Sequence, residues 1–373
     1  MPDISQYYDY QETINTQNIP YIQKLHIQID GCQKILFSKT GANHNLFVDQ
    51  NGQLFGFGYN NYGQLGQNDN NQYNKAVKIN LPNYQQQNDS IKQIEIVDNT
   101  NLIVSKNGKA YIWPYIQNES HQQDDEIRQK NFKNQSPHCN LINQIQIQQN
   151  IIVESAALGK DFCLLLTNQG TLYSFGSNNK NGQLGLGDQE SRNSPQIISE
   201  IPKIGDKIMQ IQAGFQHALA RTKNGTIYAW GQGTQGQLGN QLLQDSCIPI
   251  KVEQPQNVQV LQICCGKFSS FTLCSNKKIF FWGQIGQKKG IILGPQEFQW
   301  HQYLPDFLKN QKNNDQIQPV QIFSDYSKSM GLIGLRFIDT RKNKEISLNI
   351  KNKLQLQFIK KLNQANSNPG NKG

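Results

Sequence analysis

Long apolar runs are missing from this 373-residue sequence. Its longest candidates, residues 151–158 and 330–338, fall well short of the roughly 18 to 20 continuous apolar residues that a membrane helix needs. The expectation is a soluble chain without membrane insertion. The opening MPDISQYYDYQET offers neither a basic start nor an apolar stretch, so nothing there resembles a secretory signal. An intracellular protein is expected, cytoplasmic with the nucleus as the alternative. Cysteine pairing is missing too. Cys32, Cys139, Cys163, Cys247, Cys264, Cys265 and Cys274 form an odd set with no C-x-x-C spacing, which reads as reduced core thiols rather than a disulfide framework. The adjacent Cys264 and Cys265 have no second cysteine or histidine pair at ligand spacing, and no metal site is assigned.

Charge is also sparse, at 17% of residues, while Asn and Gln fill about a quarter of the chain. We read these amides as polar filler on exposed faces, uninformative about function. The formal net charge of +9 is concentrated late: residues 305–373 hold twelve basic against five acidic side chains. Such a stretch attracts nucleic acid or acidic proteins in principle. No aromatics alternate with the basic residues of the tail as a stacking platform would require, so a solvated face with a disordered tail at 361–373 is preferred and nucleic acid is disfavoured as a partner.

What the sequence does have is a repeat, which changes the meaning of every motif inside it. NGQLFGFGYNNYGQLG from Asn51, QGTLYSFGSNNKNGQLGLGD from Gln169 and NGTIYAWGQGTQGQLG from Asn224 share one template. NGKAYIWP from Asn107 and NKKIFFWGQIG from Asn276 keep its first half. Each unit reads as two short apolar strands, an Asn-Gly turn, a third strand ending in an aromatic, and a fourth strand after the G-Q-L-G turn. Asn51-Gly52, Asn107-Gly108 and Asn224-Gly225 suit a two-residue hairpin with both central residues at positive φ. The aromatics Phe57, Trp113, Phe175, Trp230 and Trp282 recur in register, mostly followed by glycine (Gly58, Gly176, Gly231, Gly283). A large ring beside a residue without Cβ suits sheets stacked face to face, so these positions are expected in the core. The turn glycines Gly63, Gly66, Gly182, Gly185, Gly236 and Gly239 flank an apolar anchor. A fainter sixth unit spans 319–324, 331–338 and 344–350. Segment 16–24 resembles a fourth strand that could pair with the last unit and close the chain on itself.

The template, with its G-Q-L-G turn and G-x-x-H-x-x-x-L run, resembles the regulator of chromosome condensation repeat over residues 34–282 and, more faintly, to 350. The resemblance implies an all-β protein, a β-propeller usually of seven blades; the repeats counted in this sequence support one propeller of about six four-stranded blades over residues 16–360, with seven left open, preceded by a segment 1–15 expected to be disordered. It implies a monomer that binds protein partners through loops, as an adaptor or scaffold. The alternative it implies is a guanine-nucleotide exchange factor for a Ran-class small GTPase. The founding member's chromatin-binding basic tail has no counterpart in residues 1–15, which carry Asp3, Asp9 and Glu12. No wedge insertion is evident either.

Apparent chemical motifs have structural explanations. Residues 231–236, GQGTQG, fit G-x-G-x-x-G, but a dinucleotide site needs a helix to follow, and Gln237-Leu238-Gly239 does not start one. No cofactor is assigned. His44 and His217 share a repeat position where other units have Phe162 and Ser269, which favours a structural bridge over catalysis. No catalytic residue is assigned. The irregularity lies in residues 117–136, where the G-Q-L-G turn is replaced by a polar stretch. His121, Asp124, Asp125, Glu126 and Arg128 there are the candidate interaction loop, weighed against an unconstrained insertion, which long loops permit cheaply.

Overall fold

The computed structural model describes residues 34–84, 89–114, 142–147, 151–201, 206–255, 258–284, 290–299, 317–325, 332–339 and 344–349. The expected segment 16–24, the tail 361–373 and the loop residues His121, Asp124, Asp125, Glu126 and Arg128 lie outside them. The described residues form strands and turns only, and the chain divides into two compact units.

The first unit holds two antiparallel sheets in sequential strand order. One comprises β1 (Ile35–Thr40), β2 (His44–Asp49), β3 (Leu54–Gly58) and β4 (Tyr73–Lys78); the other comprises β5 (Ile91–Val97), β6 (Thr100–Ser105), β7 (Ala110–Trp113) and the two-residue β8 (Asn143–Gln144). Leu46, Val48, Leu65, Ile94, Ile103 and Trp113 pack into one buried cluster between them.

The second unit holds three four-stranded sheets and one of three strands. They are β9 (Val153–Gly159), β10 (Phe162–Thr167), β11 (Leu172–Gly176) and β12 (Arg192–Ile197); β13 (Ile208–Ala213), β14 (His217–Thr222), β15 (Ile227–Gly231) and β16 (Ser246–Val252); β17 (Val260–Cys265), β18 (Ser269–Cys274), β19 (Ile279–Gln284) and β20 (Ile291–Phe298); and β21 (Ile317–Asp325), β22 (Leu332–Asp339) and β23 (Lys344–Asn349). First strands lie side by side, β9 by β13, β13 by β17 and β17 by β21. Fourth strands such as β12 show the polar, exposed pattern of an outer edge. One cluster around Trp230 fills the space between the β9–β12 and β13–β16 sheets, and another around Trp282 fills the next.

The hairpins differ from the expected two-residue form. Gly52 N–H donates to the Asp49 carbonyl (3.0 Å) and Asp49 N–H to the Gln53 carbonyl (3.0 Å), so three residues make the turn. Only the glycine has positive φ, +74°. Asp49 explains the difference: its Oδ1 accepts from the N–H groups of Asn51 (2.9 Å) and Gln53 (2.7 Å), which favours a type I turn closed by one left-handed residue. The same three-residue turn closes at Lys277, with φ +65° where the other copies have glycine.

The first strands carry two further devices. Each of β5, β13 and β17 has a bulge in its pairing with the second strand, and the residue after it is glutamine. In the second unit that amide reaches the next sheet. Gln210 Oε1 accepts from Ile263 N–H (3.0 Å) while its Nε2 donates to the Ile263 carbonyl (3.0 Å). Gln262 does the same to Ile322, at 2.9 and 2.8 Å. A side-chain amide thus replaces a strand partner for one residue of the neighbouring sheet, satisfying both its backbone groups.

Candidate interaction face

The repeated polar side chains join sheet to sheet. In the first unit His44 Nε2 lies 2.7 Å from Asn101 Oδ1, and Asn101 Nδ2 donates to the Gln64 carbonyl (2.8 Å). In the second unit His217 Nε2 lies 3.0 Å from Ser270 Oγ, which donates to the Gln237 carbonyl (2.8 Å). The glutamine carbonyl belongs to the G-Q-L-G turn and also receives an indole: Trp113 on Gln64 (3.1 Å), Trp230 on Gln183 (3.0 Å) and Trp282 on Gln237 (2.9 Å). The leucine of each turn is fully buried. G-Q-L-G is therefore a socket for the next sheet's tryptophan. Phe57 and Phe175 have no N–H to donate; Phe175 is buried, whereas Phe57 is half-buried and packs on Phe47 with ring centres 6.4 Å apart.

These histidines are structural and uncharged. Burial lowers the pKa of both, that of His217 to about 3. Imidazole in the unfolded chain titrates near 6.5, so the unfolded state takes up the proton first. The stabilising contribution is complete above about pH 6.5 and is lost as pH falls toward 3. From His217 alone, unfolding free energy is expected to fall by about 1.4 kcal/mol per pH unit across that window. Urea titrations at several pH values measure the slope, which His217→Asn should flatten.

The other chemical candidates resolve in the same way. Residues 231–236 leave a strand and enter turns rather than a helix, and Gly233 N–H donates to Asp245 Oδ1 (2.8 Å) instead of being held open for a phosphate. Cys163, Cys264, Cys265 and Cys274 are buried thiols outside any disulfide, and burial raises the pKa of Cys274 to about 11. Among the described residues no group of His, Cys, Asp or Glu is placed to hold a metal.

One candidate contact row is not revealed by the sequence. The turns between first and second strands in the second unit carry Lys160 and Asp161, Phe215 and Gln216, and Lys267 and Phe268, all half-exposed. Backbone bonds join the three tips: Lys160 N–H to the Phe215 carbonyl (2.9 Å), and Phe215 N–H to the Lys267 carbonyl (3.2 Å). Phe215 and Phe268 meet edge to face, ring centres 5.9 Å apart at 71°. Lys160 Nζ lies 4.8 Å and Lys267 Nζ 4.4 Å from the Phe215 ring centre; Lys267 Nζ is also 5.2 Å from that of Phe268. No salt bridge engages either lysine among the described residues. Cation–π contact of this kind contributes about 0.5–1 kcal/mol at exposed sites and fixes the ammonium groups beside apolar rings.

Short antiparallel sheets, ordered from first to fourth strand and joined through tryptophan sockets, define a β-propeller fold, a class whose binding elements are carried on turns and loops. The chain carries regulator of chromosome condensation (RCC1) repeats. Models of that repeat match residues 169–221 and 224–273, and a second repeat model matches 39–64, 153–183 and 208–237. The chain is 28% identical over 306 residues to the ultraviolet-B receptor UVR8 of Arabidopsis thaliana, covering 80% of this chain and 60% of that protein. It is 24% identical to the mitochondrial RCC1 domain-containing protein RUG3 of the same plant, covering 76% and 61%. It thus spans about 60% of the length of these relatives. Among solved structures, human WBSCR16 matches at TM-score 0.65 and 19% identity, covering 84% of this chain and 77% of that one. Prp20p of Saccharomyces cerevisiae matches at 0.62 and 18%, covering 85% and 72%.

Proposed function

We propose that the protein is a non-catalytic interaction module, an adaptor that offers turns on its blades to a protein partner. The observation that carries this reading is the division of labour among polar groups. The recurring histidines, the Trp indoles and the inner-strand amides are occupied between sheets, whereas Lys160, Phe215, Lys267 and Phe268 stand half-exposed on linked tips. A nucleophile–base pair of the kind that bond-making chemistry requires forms no part of this reading. Affinity capture with the full chain tests it: a stoichiometric protein partner is the expected result, and capture of none contradicts it.

Guanine-nucleotide exchange on a small GTPase is the second reading. It is favoured by likeness to Prp20p, whose structure was described together with its binding to Gsp1p and histones. A GTPase-facing surface should be acidic and polar, and the three linked tips carry two lysines against Asp161 alone. Release of labelled GDP from a panel of purified Ran-class and other small GTPases separates the readings. The adaptor reading expects no acceleration by catalytic amounts of the folded chain, and clear acceleration of one GTPase establishes exchange.

A further inference from the structure

The geometry points to an acidic, extended peptide segment of a protein partner as the ligand of the Lys160–Phe215–Lys267–Phe268 row. This inference rests on the interaction-module reading and names the chemistry of its partner. The two ammonium groups approach one ring from separate tips, each less than 5 Å from its centre. Alternate residues of an extended chain project to one side about 7 Å apart. Carboxylates at positions i and i+2 can therefore meet the two lysines, with an apolar side chain nearby resting on the half-exposed Phe268. The lysines are held by ring contacts and by no carboxylate of their own among the described residues, so a carboxylate that binds them displaces no internal ion pair. Interblade backbone bonds hold the tips in place before binding, which lowers the ordering cost of association.

The arrangement suits nucleic acid less well. Successive bases stack on parallel aromatic faces, whereas these rings stand at 71°. Ammonium groups lie over both rings, and a base would have to displace them. Asp161 beside Lys160 further weakens attraction for a polyanionic backbone while leaving room for a short acidic segment.

Fluorescence anisotropy with the full chain tests the assignment. The probes are a labelled peptide of alternating glutamate and leucine, the same peptide with lysine in place of glutamate, and a labelled oligothymidylate. Saturable binding of the acidic peptide is expected, weakening with added salt and at least about tenfold in K160E/K267E. The milder K160Q/K267Q should weaken it less, F215A should weaken it without changing its salt dependence, and K75E/K251E on outer strands should leave it unchanged. Unaltered binding in a folded K160E/K267E chain overturns the proposal, as does preference for the oligothymidylate. A captured protein partner that K160E/K267E retains also overturns it while leaving the adaptor reading in place. Capture of no partner by the wild-type chain overturns both.

Discussion

Trp230→Ala is expected to destabilise the second unit by about 3–5 kcal/mol, the usual cost of truncating a large buried aromatic. Trp230 is fully buried among Leu164, Leu184, Ile211 and Ala218, between the β9–β12 and β13–β16 sheets. The cavity cannot collapse easily, because the surrounding strands are fixed by their own ladders and by the turn at residues 182–185. Truncation also leaves the Gln183 carbonyl without its indole donor, a further cost for a buried polar group. Gly185 shows how closely the socket fits: a Cβ there would stand 2.8 Å from the indole Nε1. Urea denaturation followed by tryptophan fluorescence and circular dichroism measures the loss. Trp230→Phe should recover most of the packing and leave a deficit of about 1–3 kcal/mol for the unpaired carbonyl.

Gly231→Val should be at least as damaging, at roughly 4 kcal/mol or more. Two independent causes act there. The residue has φ +94°, which a β-branched side chain adopts only under strain. Its Cβ would also lie 2.5 Å from the Gln216 carbonyl oxygen and 2.9 Å from the His217 Cα. Those atoms are backbone at the start of β14, so relief requires the β14–β15 pairing to open, which would disturb the His217–Ser270 bridge as well. Soluble yield and thermal melting check this outcome. A Gly231→Val chain that melts as the wild type does would contradict the packing described for this corner.

Much of this architecture can be read from the residues, because each blade repeats the same physical solution. The strands, the Trp registers, the G-Q-L-G turns and the three-stranded last sheet follow from apolar alternation and glycine placement, to within one or two residues at their ends. In the hairpins Asn-Gly suggests a two-residue turn unless the acceptor two positions earlier, Asp49 in the first copy, is counted. The inner-strand amides look like filler in the sequence alone. The recurring IKQI at 91–94, IMQI at 208–211, VLQI at 260–263 and PVQI at 319–322 contains the signal, but what Gln210 and Gln262 bond becomes clear only when the sheets stand side by side. The Lys–Phe row has no shared motif. Lys160, Phe215 and Lys267 are 55 and 52 residues apart and meet because successive first hairpins end at neighbouring tips. The polar stretch holding Asp124 and Glu126 drew attention because it departs from the repeat, whereas the linked tips keep the repeat's backbone and vary only their side chains.

The most direct test of the account is photo-crosslinking from the tip row of the full chain. A photoreactive phenylalanine analogue at position 268, with the same analogue at position 197 on the outer strand β12 as reference, reports which surface a partner touches. The account predicts a protein adduct from position 268, absent from position 197 and lost when Lys160 and Lys267 are both changed to glutamate in a chain that still melts normally. An adduct from position 197 with none from position 268 would contradict it.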